Sequence, residues 1–443
     1  MIPSEAQIRS LTEKILNLST ADSAVVHVSA ADNANLRFAN NDITSNASQN
    51  LLSLSISSNF GTRSASVTWN QTDEHSLREA VLRSEQMARI SPENPEFMPP
   101  LAAQEYQKPN SFSATTAASG PDELAAWLQV AIDSTRAAKV DGAGFLTRKT
   151  SASAMATSAG LFVYEPSTVI DFSITARTHQ GNGSGWASLQ VTDSQNLSLK
   201  NTADRAVQKA LDSRKPSALS AARYPVVLEA SAARNLISLL LWSLNRRSSD
   251  EKRSFLNHLA KGDPQGQQLF GSKASLFSDP TYQQAPASIY SGSGLACQPT
   301  DWIKDGTLQN LHCGRFWAKK QKIQAVPHAN NLIMPGENQP LEKLISQVDR
   351  GILITRLWYL RMVQPQTLLY TGLTRDGTFL IENGEITRPV NNFRFNQSPT
   401  NVLKNLVASG RPERVLGSEG SMPMHIPPLL VNDFHFSSVS DAV

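Results

Sequence analysis

The chain has 443 residues, of which 40% are hydrophobic and 18% charged, so its composition excludes an intrinsically disordered protein and predicts two or three folded domains. Its 41 basic and 38 acidic residues leave a net charge of +3, which is too balanced to predict a nucleic-acid-binding surface. The two cysteines, Cys297 and Cys313, are too few for a disulfide framework and suit a reducing compartment.

The N-terminal part, residues 1–100, is predicted to be an α+β domain. Ser4-x-x-Gln7 is a capping-box sequence, and the apolar residues that follow it are spaced as on one face of a helix. Apolar and polar residues then alternate in strand-like runs, and the turn at Asn59–Gly61 predicts a hairpin. The predicted helices cover 4–18 and 74–90, and the predicted strands cover 24–29, 35–39, 51–57 and 63–69.

A segment rich in proline, serine and alanine, residues 91–121, predicts a linker into a middle domain over 101–221. A helix is predicted from Pro121 to about Ala138, because proline is favoured in the first helical turn. Short strands with glycine turns are predicted as far as about residue 195, followed by a helix over 200–212.

The remaining residues, 222–443, are predicted to form a β-rich C-terminal domain. Its most apolar helix covers 232–246. Residues 368–387 predict three short strands joined at Asp376-Gly377 and Asn383-Gly384, because these pairs supply the positive φ angles of two-residue hairpin loops. The order of helices and strands along the whole chain predicts the α+β class: a mixed N-terminal α/β region followed by a largely antiparallel β C-terminal domain.

No segment is typical of a secretion signal or a membrane span. The N-terminus, Met1-Ile-Pro-Ser-Glu5, lacks the apolar core that a secretory signal needs. The most apolar run, Asn235–Asn245, is too short to cross a bilayer. These observations predict a cytoplasmic protein without membrane contact.

Histidine spacing argues against a zinc helix in this chain. Of the eight histidines, the two nearest in sequence are His425 and His435, too far apart to share a helical turn. His312-Cys313 is the one local cluster of soft ligands, and neighbouring residues of a strand point to opposite faces. A hydrolase with a metal at His312, Cys313 and His328 is kept as an alternative.

Arginines and aromatic residues cluster around residues 356–394. Side chains of these types are usual anchors of recognition surfaces, and a free strand edge can pair with an extended peptide. The alternative is an ordinary sheet core with arginines that reach out to water. The predicted peptide-binding residues are Arg356, Trp358, Tyr359, Arg361, Asn392 and Arg394.

Several ordered motifs resemble the TldD/PmbA family of zinc peptidases and their partner subunits. The most recognisable are Leu380-Ile-Glu-Asn-Gly-Glu385 and Pro389-Val390, while Asp305-Gly-Thr-Leu-Gln309 and Pro225-Val-Val-Leu228 are similar to earlier family motifs. The similarity extends more weakly into the N-terminal part.

The resemblance also indicates which residues stand where the family's active members hold zinc. Those members carry His-Glu-x-x-x-His on a helix and a cysteine near the C-terminus. Here the two histidine positions correspond to Ser238 and Ser243, the glutamate position to Leu239 and the cysteine position to Leu416. The resemblance therefore implies that this chain has no catalytic residues and no metal ligands.

Such a pattern resembles the non-catalytic, TldE-like members of the family. The resemblance implies a heterodimer in which a TldD-like partner holds the zinc and this chain, itself without cofactor, helps to bind unfolded or extended peptides and to complete the chamber. The implied reaction is leader-peptide or antitoxin processing, without direct binding to nucleic acid. Whether the chain is itself an enzyme stays open, and a stand-alone homodimeric peptide-binding protein is a further alternative.

Overall fold

The computed structural model describes residues 2–179, 182–417 and 420–440, and its first half combines long antiparallel strands with covering helices. The helices of this half are α1 (Glu5–Leu18), α2 (Glu74–Ile90), α3 (Ala114–Ala118), α4 (Pro121–Ala137) and α5 (Leu199–Asp212). The strands are β1 (Ser23–Ala39), β2 (Asp42–Phe60), β3 (Arg63–Trp69), β4 (Val140–Thr157), β5 (Phe162–Thr178) and β6 (Ser184–Val191).

The second half contains shorter elements. Its helices are α6 (Ala230–Ser243), α7 (Arg246–Asp250), α8 (Leu256–Leu259), α9 (Arg315–Gln321), α10 (Leu341–Ile345) and α11 (Pro399–Lys404). Its strands are β7 (Arg223–Leu228), β8 (Leu276–Ser278), β9 (Thr300–Lys304), β10 (Thr307–Leu308), β11 (Leu332–Ile333), β12 (Arg350–Ile354), β13 (Leu357–Gln364), β14 (Leu369–Thr374), β15 (Thr378–Glu382), β16 (Glu385–Pro389), β17 (Asn392–Gln397), β18 (Leu406–Ser409), β19 (Glu413–Arg414), β20 (Met424–Ile426) and β21 (Leu429–Ser440).

Local sequence signals place the helices of the first half. The predicted capping box is confirmed: the Gln7 N–H donates to Ser4 Oγ and the Ser4 N–H donates to Gln7 Oε1. Asp73 caps α2 by accepting from the Ser76 N–H, and Pro121 occupies the first turn of α4. The four helices predicted in this half are therefore confirmed to within a few residues.

All six strands of the first half form one sheet, in the order β3-β2-β1-β4-β5-β6, with every neighbouring pair antiparallel. Helices α1 and α2 cover one part of it, where Ile8 and Leu77 pack with Val26. Helices α4 and α5 cover the other part, where Leu128 packs with Phe172. The sheet therefore has two hydrophobic cores on a shared set of strands.

The prediction of short strands with glycine turns as far as about residue 195 is wrong, because long strands fill residues 140–191. Gly142 and Gly144 lie inside β4 rather than in turns. A Cβ atom on Gly144 would lie 2.0 Å from the carbonyl oxygen of Ser173 in the neighbouring strand. This glycine permits a close approach of two backbones, which is the other common reason for glycine within a strand.

The second half contains two further sheets. The smaller follows the order β10-β9-β8-β11-β20-β19, and the larger follows β13-β14-β17-β21-β7-β12-β15-β16, with β18 paired to β21. The predicted hairpin at Asp376-Gly377 is wrong, because β14 pairs with β13 and β17 whereas β15 pairs with β12 and β16. The second predicted hairpin, at Asn383-Gly384, is confirmed between β15 and β16.

These features confirm the α+β class, with a mixed N-terminal α/β region and antiparallel-rich sheets. The division into domains 1–100, 101–221 and 222–443 stays a prediction; the six-stranded sheet uses residues from both of the first two ranges. Across the described ranges, no helix combines the length and apolar character that a bilayer span requires.

A buried ion pair joins α5 to the beginning of α6. Nζ of Lys209 lies 2.6 Å from Oε2 of Glu229, and both side chains are almost entirely buried. Burial lowers the pKa of Lys209, and the Glu229 carboxylate opposes that shift. Glu229 is also the N-cap residue of α6, where its negative charge interacts favourably with the positive end of the helix dipole.

We expect Glu229→Gln to destabilise the chain by about 3–5 kcal/mol, because it leaves the Lys209 ammonium buried without its counter-charge. The matched control is Asp204→Asn, which breaks the exposed Lys200–Asp204 pair and should cost less than about 0.5 kcal/mol. Urea unfolding followed by circular dichroism measures both. Equal losses for the two variants would show that the buried pair does not secure α5 to α6.

Candidate functional site

Helix α6, which carries Ser238 and Ser243, and the segment at Leu416 lie against each other. A Cβ atom on Gly417 would lie 2.3 Å from Oδ1 of Asn235 in α6. The Leu416 N–H donates to Ser188 Oγ of β6, 3.0 Å away. The site therefore forms where the first half of the chain, α6 and the 415–417 segment meet.

The side chains at these positions are engaged in ordinary helix contacts. Ser238 Oγ donates to the carbonyl oxygen of Asn235, and Ser243 Oγ donates to that of Leu239, each at 3.0 Å. Leu239 packs against the core of the second half. Hydroxyl and leucine side chains in these contacts offer none of the thiolate, imidazole or carboxylate groups that zinc prefers.

An arginine stands beside them. Arg234 lines a cavity of about 410 Å³ together with Ser238, Trp242 and Met422. Its side chain is buried, and its Nη2 donates to the carbonyl oxygen of Met422 at 2.6 Å. Its Nε has no hydrogen-bond partner among the described residues. Burial lowers the pKa of Arg234 to about 10, although Asp171 raises it in part.

A second cavity, of about 380 Å³, adjoins the first and shares Asn330 and Ser421 with it. Gln190 donates to Asp171 Oδ1 at 2.9 Å and accepts from Nε of Arg414 at 3.0 Å. Burial raises the pKa of Asp171 and lowers that of Arg414 to about 10.

Sequence reasoning missed this charged group. Arg234, Asp171 and Arg414 come from α6, β5 and β19, which are far apart along the chain, so no local motif joins them. One signal was available: Arg234 lies in the most apolar helix, where a charged side chain is rarely buried unless it is paired or functional.

Two of the predicted peptide-binding residues are held in internal contacts. Nη1 of Arg356 lies 2.6 Å from Oδ2 of Asp376, and its guanidinium covers the ring of Trp186 at 4.4 Å. Oδ1 of Asn392 lies 2.8 Å from the hydroxyl oxygen of Thr378, inside the larger sheet. Both residues help to fix the sheet in place.

The other four lie at or near the outer strand β13. Tyr359 is 48% exposed, and the guanidinium of Arg361 lies 4.4 Å from its ring centre. Trp358 carries the Arg375 guanidinium on its face at 4.4 Å. Arg361 pairs in register with Thr371, whose hydroxyl oxygen lies 3.5 Å from Nη1 of Arg394. The structure thus brings Arg361 and Arg394 to the same face, and their role in peptide binding stays a prediction.

The alternative metal site does not assemble as a ligand set. The rings of His312 and His328 stack face to face, with centres 3.3 Å apart, and Nδ1 of His312 donates to the carbonyl oxygen of Val326. Cys313 is buried in a separate cluster with Trp317. Within the ranges that the structure describes, no group of three or more His, Cys, Asp and Glu side chains could hold a metal ion.

Comparison with known proteins defines the class as metallopeptidase-type. The family model of the PmbA/TldA metallopeptidase central domain matches residues 99–214, and that of the PmbA/TldA metallopeptidase C-terminal domain matches residues 221–438. The chain belongs to the PmbA/TldD family.

Individual relatives are distant. The metalloprotease PmbA homolog of Haemophilus influenzae is 26% identical over 212 residues, which are 46% of this chain and 45% of that protein. The chain thus spans somewhat under half the length of the curated relatives that it matches.

Solved structures share the fold over nearly the whole chain. TldE from Thermococcus kodakarensis has a TM-score of 0.83 at 16% identity, covering 98% of this chain and 99% of its own. A candidate modulator of DNA gyrase from Bacteroides thetaiotaomicron has a TM-score of 0.84 at 18% identity, with the same coverage. At these identities the likeness establishes the fold alone.

We expect His312 to make stability depend on pH. Burial, followed by the neighbouring His328 ring, lowers the pKa of His312 from about 6.5 to about 4. Between these values the unfolded chain takes up a proton that the folded chain does not, so stability falls as pH falls through this window. His312→Gln should reduce the fall in urea midpoint between pH 6.5 and about 4.

The exposed His75 provides the control for this measurement, since His75→Gln should retain the wild-type profile. A profile that His312→Gln leaves unchanged would show that the stacked pair is not responsible.

Proposed function

We propose that this chain is the zinc-free, TldE-like subunit of a two-chain metallopeptidase whose other chain is TldD-like and holds the zinc. In this proposal it binds unfolded or extended peptide, as in leader-peptide or antitoxin processing, and completes the chamber around the partner's site. We include a cytoplasmic location, which would suit its two free cysteines.

The observation that carries the proposal is the chemistry at α6. The resemblance assigns to Ser238 and Leu239 the positions where the family's active members have a zinc ligand and the general base, and Arg234 lines the same cavity as Ser238. A guanidinium is always positively charged and cannot act as a ligand, and at short range in a buried site it repels a divalent cation. This arrangement supports a subunit that lost the metal rather than one that rebuilt its site from other ligands.

The second support is the outer strand β13. Among the described strands it pairs only with β14, so one side of its main chain can pair with an extended peptide. Tyr359 and Arg361 lie at this edge, and Arg394 lies two strands further in, on the same face as Arg361, where its side chain can contact a peptide side chain. Main-chain pairing is independent of sequence, which suits a substrate class defined by being unfolded.

We expect the purified chain alone to release no products from an unfolded peptide, whereas co-expression with a zinc-bearing family member that carries His-Glu-x-x-x-His should give a zinc-dependent peptidase. Metal analysis should find about one zinc per two-chain assembly. The measurements are size-exclusion chromatography, metal analysis and peptide cleavage followed by mass spectrometry.

A variant of the partner that lacks its motif glutamate is the control for cleavage, since it should still assemble and bind zinc. Stoichiometric zinc and cleavage in the chain alone would instead identify a hydrolase in its own right. A chain that forms only homodimers would point to a stand-alone binding protein.

We expect Arg361→Ala and Arg394→Ala each to lower kcat/KM of the assembly by about tenfold while leaving the urea midpoint near that of the wild type, since both side chains are exposed. The matched control is Arg388→Ala, which removes an exposed arginine from β16 at the other outer edge of the same sheet. If all three variants cleave equally well, the β13 edge does not bind the substrate.

A further inference from the structure

Two arginines in the joined cavities have no counter-charge beside them in the part of the chain that the structure describes. Arg234 is only 2% exposed, and Arg414 is partly buried. Arg234 donates to the carbonyl oxygen of Met422, and Arg414 donates to Gln190 and to the Thr192 hydroxyl oxygen. All of these acceptors are neutral, and across the described ranges neither arginine has a carboxylate oxygen within ion-pair distance.

Asp171 is the acidic group that interacts electrostatically with both arginines. It raises the pKa of each of them, but its hydrogen bond is to Gln190 rather than to a guanidinium. Two guanidinium groups and one carboxylate leave this trio with an excess positive charge. Buried charges are normally paired, because an unpaired one is costly in a medium of low dielectric constant.

The other charges of the second cavity do not supply the missing partner. Glu165 lines it, but its carboxylate accepts from the Ser288 hydroxyl and the Ile289 N–H. Lys149 also lines this cavity, and its positive charge acts on Asp171, so it adds to the positive charge of the group. Among the residues that the structure describes, the excess therefore remains with Arg234 and Arg414.

The first cavity has a shape and lining suited to a peptide end. Trp242, Met422 and Met424 give it an apolar wall, while Ser238 and Arg234 give it a polar one. Trp242 is 58% exposed and Ser421 is exposed, so the cavity reaches the surface there. An apolar side chain next to a carboxylate would match both walls.

We propose that Arg234 and Arg414 bind a carboxylate of the peptide substrate between them, at the place that the resemblance assigns to zinc in the family's active members. Guanidinium groups suit this ligand because they donate two parallel hydrogen bonds to one carboxylate. The inference rests on the proposed peptide-binding function and adds to it the chemical group that is recognised. The carboxylate comes from the C-terminus of the peptide or from an acidic side chain.

The test uses the full-length chain alone, without partner or zinc, and three fluorescein-labelled peptides of Gly, Ser and Ala ending in Leu. The first has a free C-terminus, the second is its C-terminal amide, and the third is the amide with one internal residue changed to Glu. Fluorescence anisotropy at fixed ionic strength gives each Kd. We expect the free acid to bind about tenfold to a hundredfold more tightly than the plain amide.

The variants test which arginines are responsible. Arg414→Gln should remove the difference between free acid and amide, and Arg234→Lys should reduce it, since lysine keeps the charge but not the paired geometry. The matched control is Arg411→Gln, which should keep the difference. Arg411 is an exposed arginine three residues before Arg414, and its Nε donates to Asn338 Oδ1. Circular dichroism confirms folding, and the three peptides test the proposal even if a variant fails to fold.

The outcomes separate the sources of the carboxylate. Tight binding of the free acid alone assigns the site to a peptide C-terminus, and tight binding of the Glu-containing amide assigns it to an acidic side chain. Equal binding of all three peptides, or binding of none, overturns the proposal. Cleavage by the two-chain assembly is measured separately, so a zinc-dependent peptidase that ignores the carboxylate would leave the proposed function standing and remove only this inference.

Discussion

The buried carboxylate of Asp376 is the contact on which the arrangement of the two halves depends. It accepts from the Ser184 hydroxyl at the start of β6 and from the Arg356 guanidinium before β13, and that guanidinium covers Trp186 of β6. Positive φ angles at Asp376 and Gly377 aim the carboxylate into this contact. One charged group thus fixes the edge of the first sheet against the largest sheet, and the Lys209–Glu229 pair and the Arg414–Gln190 hydrogen bond join the same two halves elsewhere.

In the proposed function, α6 carries the electrostatic opposite of a zinc site. A zinc site gathers electron-donating side chains around a cation, whereas Arg234 contributes a cation and leaves the cavity in need of an anion. The helix itself is little affected by this difference, because Ser238 and Ser243 satisfy their hydroxyl groups on its own carbonyl oxygens. Under the proposed carboxylate recognition, the fold keeps its geometry while the sign of the recognised charge is reversed.

Local sequence signals predicted the fold class and the five long helices α1, α2, α4, α5 and α6, but none of the short ones, because caps, proline positions and apolar spacing need several turns of helix to be recognised. The pairing of β14 and β15 was not predictable in this way: Asp376-Gly377 has the φ angles of a hairpin turn, yet each strand pairs with partners from elsewhere in the chain. The site was only partly predictable for the same reason. Ser238 and Leu416 could be placed by resemblance, whereas Asp171 and Arg414 meet Arg234 only through the tertiary fold.

The position of β21 has a consequence for how the chain is made. This strand, Leu429–Ser440, lies between β17 and β7 in the interior of the largest sheet, so β7 gains its antiparallel neighbour only when residues 429–435 have been synthesised. The six-stranded sheet has no such dependence, since its strands end at Val191. On the ribosome the first half can fold early, whereas the second half must wait with β7 and α6 exposed, which makes it the part of the nascent chain most in need of a chaperone.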